Sequence, residues 1–280
     1  MSMVRLRWEP TGNRPTSRST RRPRTGATSA DARPREGAGI GRLWRQPKEK
    51  LVVNFRIISI GALAAHPLWG ERQPVRTGHA TTTLIQSGDR TILVDPSLPP
   101  QVLEARLRER SGLEPGAISD VFLTSFHPDL RRGLPLFEDA RWLISEQERE
   151  SVGVGLVERF HQAESATGGD REVLDMLKAE IALLRRFEAA SDQLAPHVTL
   201  FPLPGQTPGL CGLLLSLPQR TVVVCGDAVP TQEHLEQGKV LPGAWDVNQA
   251  QESFKEAVEI ADWLILGRDN LVANPMQRPF

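Results

Sequence analysis

The sequence predicts an α/β (α+β) fold in which two mixed sheets pack together with helices outside. Three observations lead there. Apolar segments alternate with turn signals from about residue 51 onward. Their order runs hairpin strands, helix, strand, strand, helices, more strands, helix, strand. That mixture of antiparallel and crossover elements does not suit a simple doubly wound sheet. There is also no GxGxxG and no Walker A sequence, so the nucleotide-binding α/β folds lose their main signature.

The elements follow in order. Residues 55–60 (FRIISI) read as a strand ending at Gly61. Residues 81–86 (TTTLIQ) and 90–95 (RTILVD) read as two strands joined through Ser87-Gly88-Asp89, a hairpin signal. Residues 99–109 place Val102, Leu103 and Leu107 at helical spacing. The Glu114-Pro115-Gly116 turn leads into a strand at 120–124, and residues 141–145 (RWLIS) form another. Residues 146–193 read as a helical insertion broken at Thr167-Gly168-Gly169. Its second half sets Val173, Leu174, Leu177, Ile181, Leu184 and Phe187 on one face. Such a helix pair packs on the core, and it could also serve as a lid or a homodimer surface. Strands return at 198–201, 211–217 and 221–225. Asn248, with Gln251 three residues on, resembles a capping box opening a helix, and residues 263–266 form the last strand.

Charge divides the chain. Residues 1–50 carry thirteen Lys/Arg against four acids, so +9; the other 230 carry 21 against 30, so −9. The first segment is rich in Arg, Pro, Ser, Thr and Gly, with little to bury, and reads as a disordered tail. It is a solvated tail, an organelle transit peptide, or translated sequence upstream of the true start. The domain at 51–280 is mildly acidic, which argues against nucleic acid as its partner. No apolar run of about 18 residues is present, so no membrane span is expected. Two cysteines, Cys211 and Cys225, give no disulfide framework and no CxxC, which fits a cytoplasmic protein with reduced thiols.

The chemistry gathers at strand ends. The segments are Leu93-Val94-Asp95-Pro96, residues 124–133 (TSFHPDLRRG), residues 204–210 (PGQTPGL), Cys225-Gly226-Asp227 and Gly267-Arg268-Asp269. His127 and Asp129, two residues apart after an apolar strand, suit two ligands leaving a strand end toward one point. In this order the five segments resemble the metallo-β-lactamase superfamily over about residues 55–270. The resemblance implies a four-layer αββα sandwich. In active members the first loop reads T-H-x-H-x-D-H and the second P-G-H-T-P-G-H, with a bridging Asp and a C-terminal His completing two metal sites.

Carried over residue by residue, His127, Asp129 and Asp227 match. Ser125 and Leu130 stand where the first loop has histidines. Gln206 stands at the second loop's ligand His, Leu210 at its other His, and Arg268 at the C-terminal His. Asp95 matches the acid that organises the site from behind. A catalytic zinc needs about three protein ligands and an open position. The retained trio is shared between two metals, so neither has three. Arg268 is expected to face Asp227 and Asp129 and to replace the metal, with Arg131 and Arg132 adding the same charge.

Two functions follow from the resemblance. One is a non-catalytic, metal-free descendant that binds a small, anionic ligand or a partner in the old cleft. Ser125, Gln206, Arg268, Arg131 and His79 would line that cleft, and no cofactor is implied. The other is a hydrolase using one zinc, iron or manganese ion at His127, Asp129 and Asp227, with Asp129 as base. His66, His161, His197 and His234 read as surface or loop residues. His234 is also the one residue placed to replace a lost ligand.

Overall fold

A computed structural model describes residues 53–166 and 170–276. The basic segment 1–50 and the break expected at residues 167–169 lie outside the described residues. Two six-stranded sheets form the centre. The first contains β1 (Asn54–Ser59), β2 (Thr82–Ser87), β3 (Arg90–Val94), β4 (Asp120–Leu123), β5 (Arg141–Ile144) and β6 (Phe187–Ala189), in that spatial order. Strands β1 to β3 pair antiparallel, and β3 to β6 pair parallel. The second contains β7 (Gln193–Ala195), β8 (Val198–Pro202), β9 (Cys211–Leu217), β10 (Arg220–Val224), β11 (Trp263–Ile265) and β12 (Leu271–Ala273), also in spatial order. It is antiparallel except for the β10–β11 pair.

Strands buried on both faces explain the unbroken apolar runs. In β3 and β4, Ile92, Val94 and Phe122 point between the sheets, where they meet Leu213, Leu215, Val222, Val224 and Ile265. Their neighbours Leu93, Val121 and Leu123 point outward, into a layer with Leu103, Leu107, Leu156, Leu177 and Leu184. Those leucines come from α1 (Pro100–Ser111), α2 (Glu146–Ser165) and α3 (Arg171–Leu184). On the far side, Val223 and Leu264 cover Leu235 of α4 (Gln232–Gln237) and Phe254 and Ala257 of α5 (Val247–Ile260). The layers are therefore α, β, β, α, as expected.

Three expectations need correction. The helical region stops at Leu184, and Phe187 lies in β6, which pairs with β5. Phe187 keeps the helical spacing, but its ring packs against Trp142 and Phe126 at 5.4 and 5.7 Å, so tertiary packing decides its state. Strand β7 occupies the end of the same predicted insertion. The cap of α5 is Asp246, not Asn248: its carboxylate accepts from Asn248 N and Gln249 N at 2.9 and 3.0 Å.

Candidate functional site

Asp95, the first loop, Asp227 and Arg268 all follow the C-terminal ends of parallel-paired strands, β3, β4, β10 and β11 respectively. Backbone contacts lock these ends together. A Cβ on Gly267 would lie 2.3 Å from Gly226 O, so only glycine lets the Asp227 and Arg268 loops approach this closely. Gly226 itself sits at φ 52°, which glycine adopts without strain.

Arg268 is 6% exposed. Its Nε donates to Asp227 Oδ1 at 2.7 Å and its Nη2 to Asp227 Oδ2 at 2.8 Å. Nη1 reaches Asp129 Oδ2 at 3.4 Å. Arg132 donates to the other Asp129 oxygen and to Gly78 O at 2.7 Å. Two neighbouring carboxylates would repel, and here the Arg268 guanidinium bridges them while Arg132 adds a second positive charge at Asp129. Burial opposes both charges of the central pair, but mutual attraction and hydrogen bonding outweigh it. The Asp227 carboxyl is held below its ordinary range, and the Arg268 guanidinium is held further above its own.

Asp95 lies within electrostatic range of this pair. It accepts from Thr124 N at 2.9 Å and Thr124 Oγ1 at 2.8 Å, with its backbone at φ 49°. Burial pushes its carboxyl up to about 7, with the Asp227 charge adding to the effect and the Thr124 bonds opposing it. A carboxyl raised in the folded state favours folding below its unfolded pKa of 3.8 and loses that contribution as pH rises toward about 7. Replacing Asp95 with Asn should therefore flatten the stability profile between pH 4 and about 7. Urea unfolding of both proteins across that range checks it, and parallel profiles would contradict it.

The remaining expected site residues separate. Ser125 is buried, and Gln206 has a buried Oε1 with no hydrogen-bond partner. Leu130 and Leu210 pack into opposite outer layers of the core. His127 is 55% exposed, and its Nδ1 accepts from Asp129 N at 3.2 Å. Arg131 does not join the carboxylates. It lies over the Phe126 ring at 4.2 Å, pairs with Glu180 at 2.5 Å and donates to Phe126 O at 3.2 Å. The 3-10 turn Pro128–Leu130 explains this, since it brings Asp129 and Arg132, three apart, to one side and turns Arg131 away. His79 lies outside this cluster as well. Its ring bonds to Ile60 O at 3.0 Å and faces a different cavity, beside Leu98 and Val102.

Two groups of residues were not legible in the sequence. Glu148 is 1% exposed, and its carboxylate ties both loops to α2. It accepts from Phe126 N at 2.9 Å, Thr207 Oγ1 at 2.7 Å and Gly209 N at 3.2 Å. In the sequence it reads only as the acid three residues after the helix cap Ser145. The second group is His66 and His234, expected as surface or loop residues: both are buried, at 3% and 0% exposed, and His234 lies in α4. Both rings bond to Thr231 Oγ1, at 3.1 and 2.9 Å, and Glu233 joins at 2.9 Å. Burial pushes the His234 imidazole down to about 4. The cluster flanks a cavity of about 400 Å³ shared with Trp69, Arg76, Arg268 and Asp269.

The donors retained at this site do not fit a zinc pair. Both oxygens of Asp227 are engaged by Arg268, and both of Asp129 by Arg132 and Arg268. His127 is 55% exposed, and the Arg268 guanidinium lies against both carboxylates. No group of three or more His, Cys, Asp or Glu side chains among the described residues is placed to hold a metal ion.

Comparison with known proteins agrees with this architecture. A protein from Thermotoga maritima of metallo-β-lactamase type superposes with a TM-score of 0.56 at 18% identity, covering 79% of this chain and 99% of that one. AidC, a dizinc quorum-quenching lactonase, gives 0.54 at 18% identity over 67% of this chain and 71% of its own. The hydrolase AbOPH gives 0.52 at 15% identity over 82% and 93%. At such identities the likeness is one of fold. No curated protein sequence matches the chain. The model of the metallo-beta-lactamase superfamily matches residues 75–267, more than half of the sequence, and the chain belongs to that superfamily.

Proposed function

We propose that this chain is a metal-independent member of its superfamily that binds a small ligand in the former active-site cleft. One observation carries the reading: the Arg268 fork on Asp227, with its third nitrogen at Asp129. An arginine is permanently charged and cannot ligate a metal. It supplies the positive charge that the two facing carboxylates require, and it repels a divalent ion from the same place. The cleft beside it keeps the strand-end loops of a hydrolase without three ligands for one ion.

The competing reading is a one-metal hydrolase at His127, Asp129 and Asp227. It requires Arg268 to leave both carboxylates, and nothing in the geometry favours that. Hydrolysis assays on lactone, β-lactam and phosphoester substrates, with zinc, iron or manganese supplied, separate the two. The expected result is that wild-type and Asp227→Ala proteins give the same background rate. Metal-stimulated turnover in the wild type, lost in Asp227→Ala, would establish the hydrolase instead.

A further inference from the structure

We infer that the cavity between the first loop and the α2–α3 pair binds an amphiphile with an apolar chain and a carboxylate head. This deepens the ligand-binding reading and rests on it. The cavity has a volume of about 400 Å³, which suits a small ligand. Its floor is apolar: Leu156 of α2, Leu177 of α3 and Phe126 of the first loop are buried there. Met176, 51% exposed, forms a pliable wall.

The charged groups around this floor fall into two kinds. Arg131 is committed to Glu180 and the Phe126 ring, and the Glu148 carboxylate is committed to three donors. Arg159 is uncommitted: it lines the cavity from α2 and makes no ion pair or hydrogen bond with the described residues. His127 lines the same edge, and its Nε2 has no partner among the described residues. A lipophilic pocket with a free guanidinium fork at its rim selects a chain that ends in a planar anion. An ammonium head would meet Arg159 as a like charge, and a bare carboxylate would leave the apolar floor unused.

Isothermal titration of the full chain with octanoate, octylamine and acetate tests the inference. Octanoate should bind once per chain, and the other two at least about tenfold more weakly. Arg159→Glu and Met176→Asp, both at exposed positions, should each weaken octanoate about tenfold or more while circular dichroism stays unchanged. Val154→Asp, on the opposite side of α2 where it lines a separate cavity with Ile181 and Leu184, should leave binding as it is. No octanoate binding, equal binding of octylamine, full affinity in Arg159→Glu, or loss in Val154→Asp would each overturn the proposal. None of those results would touch the Arg268 reading, which is tested by metal content and turnover.

Discussion

Arg268→Ala is expected to lower the unfolding free energy by about 3–5 kcal/mol, the range for removing one partner of a buried ion pair. The loss comes mainly from what stays behind. Asp227 is 9% exposed and would keep a desolvated charge without its fork, close to a second carboxylate, that of Asp129. Arg268→Lys retains the charge but cannot hold both Asp227 oxygens in one plane, so it should fall between wild type and alanine. The double change Arg268→Ala with Asp227→Asn should recover part of the loss, because the orphaned charge is gone. Urea unfolding of the four proteins at neutral pH measures this. If Arg268→Ala cost less than about 1 kcal/mol, the range of a surface pair, the guanidinium would not be holding the site together.

Glu148→Ala should lower stability by roughly 2–6 kcal/mol, through two buried N–H groups left unpaired at about 1–3 kcal/mol each. Those groups are Phe126 N and Gly209 N, one in each motif loop, with the Thr207 hydroxyl losing its acceptor as well. Space gives the loops little alternative. A Cβ on Gly209 would already lie 2.0 Å from Glu148 N, so the second loop is pressed against the start of α2. Glu148→Gln retains one acceptor oxygen and should cost less. Amide hydrogen exchange provides the local readout: Phe126 and Gly209 should lose protection before the strands do. Unchanged protection at both amides would show that other contacts fix the loops.

How far the sequence reaches depends on the range of the interaction. Strands β3, β4 and β10 are readable because both faces of each are buried, which forces continuous apolar runs such as Ile92-Leu93-Val94 and Val222-Val223-Val224. The strand-end segments are readable because their residue types and order survive as a pattern. Arg268 could be placed opposite Asp227 and Asp129 on that ground, since charge balance at one point follows from the aligned loops. Adjacent residues are harder. Arg131 and Arg132 are indistinguishable in sequence, and only the turn at Pro128–Leu130 sends one to Glu180 and the other to Asp129. Phe187 carries a helical spacing, yet pairing with β5 makes it a strand residue. Glu148 and His66 lie far in sequence from their partners, and no local signal announces those contacts.

In the proposed function, a fixed guanidinium has taken the place of the metal. The metal content of the purified full-length protein, after incubation with zinc, iron and manganese and removal of free ions, tests it most directly. The expected content is far less than one ion per chain, unchanged in Asp227→Ala. One tightly held ion per chain in the wild type, absent from Asp227→Ala, would contradict it.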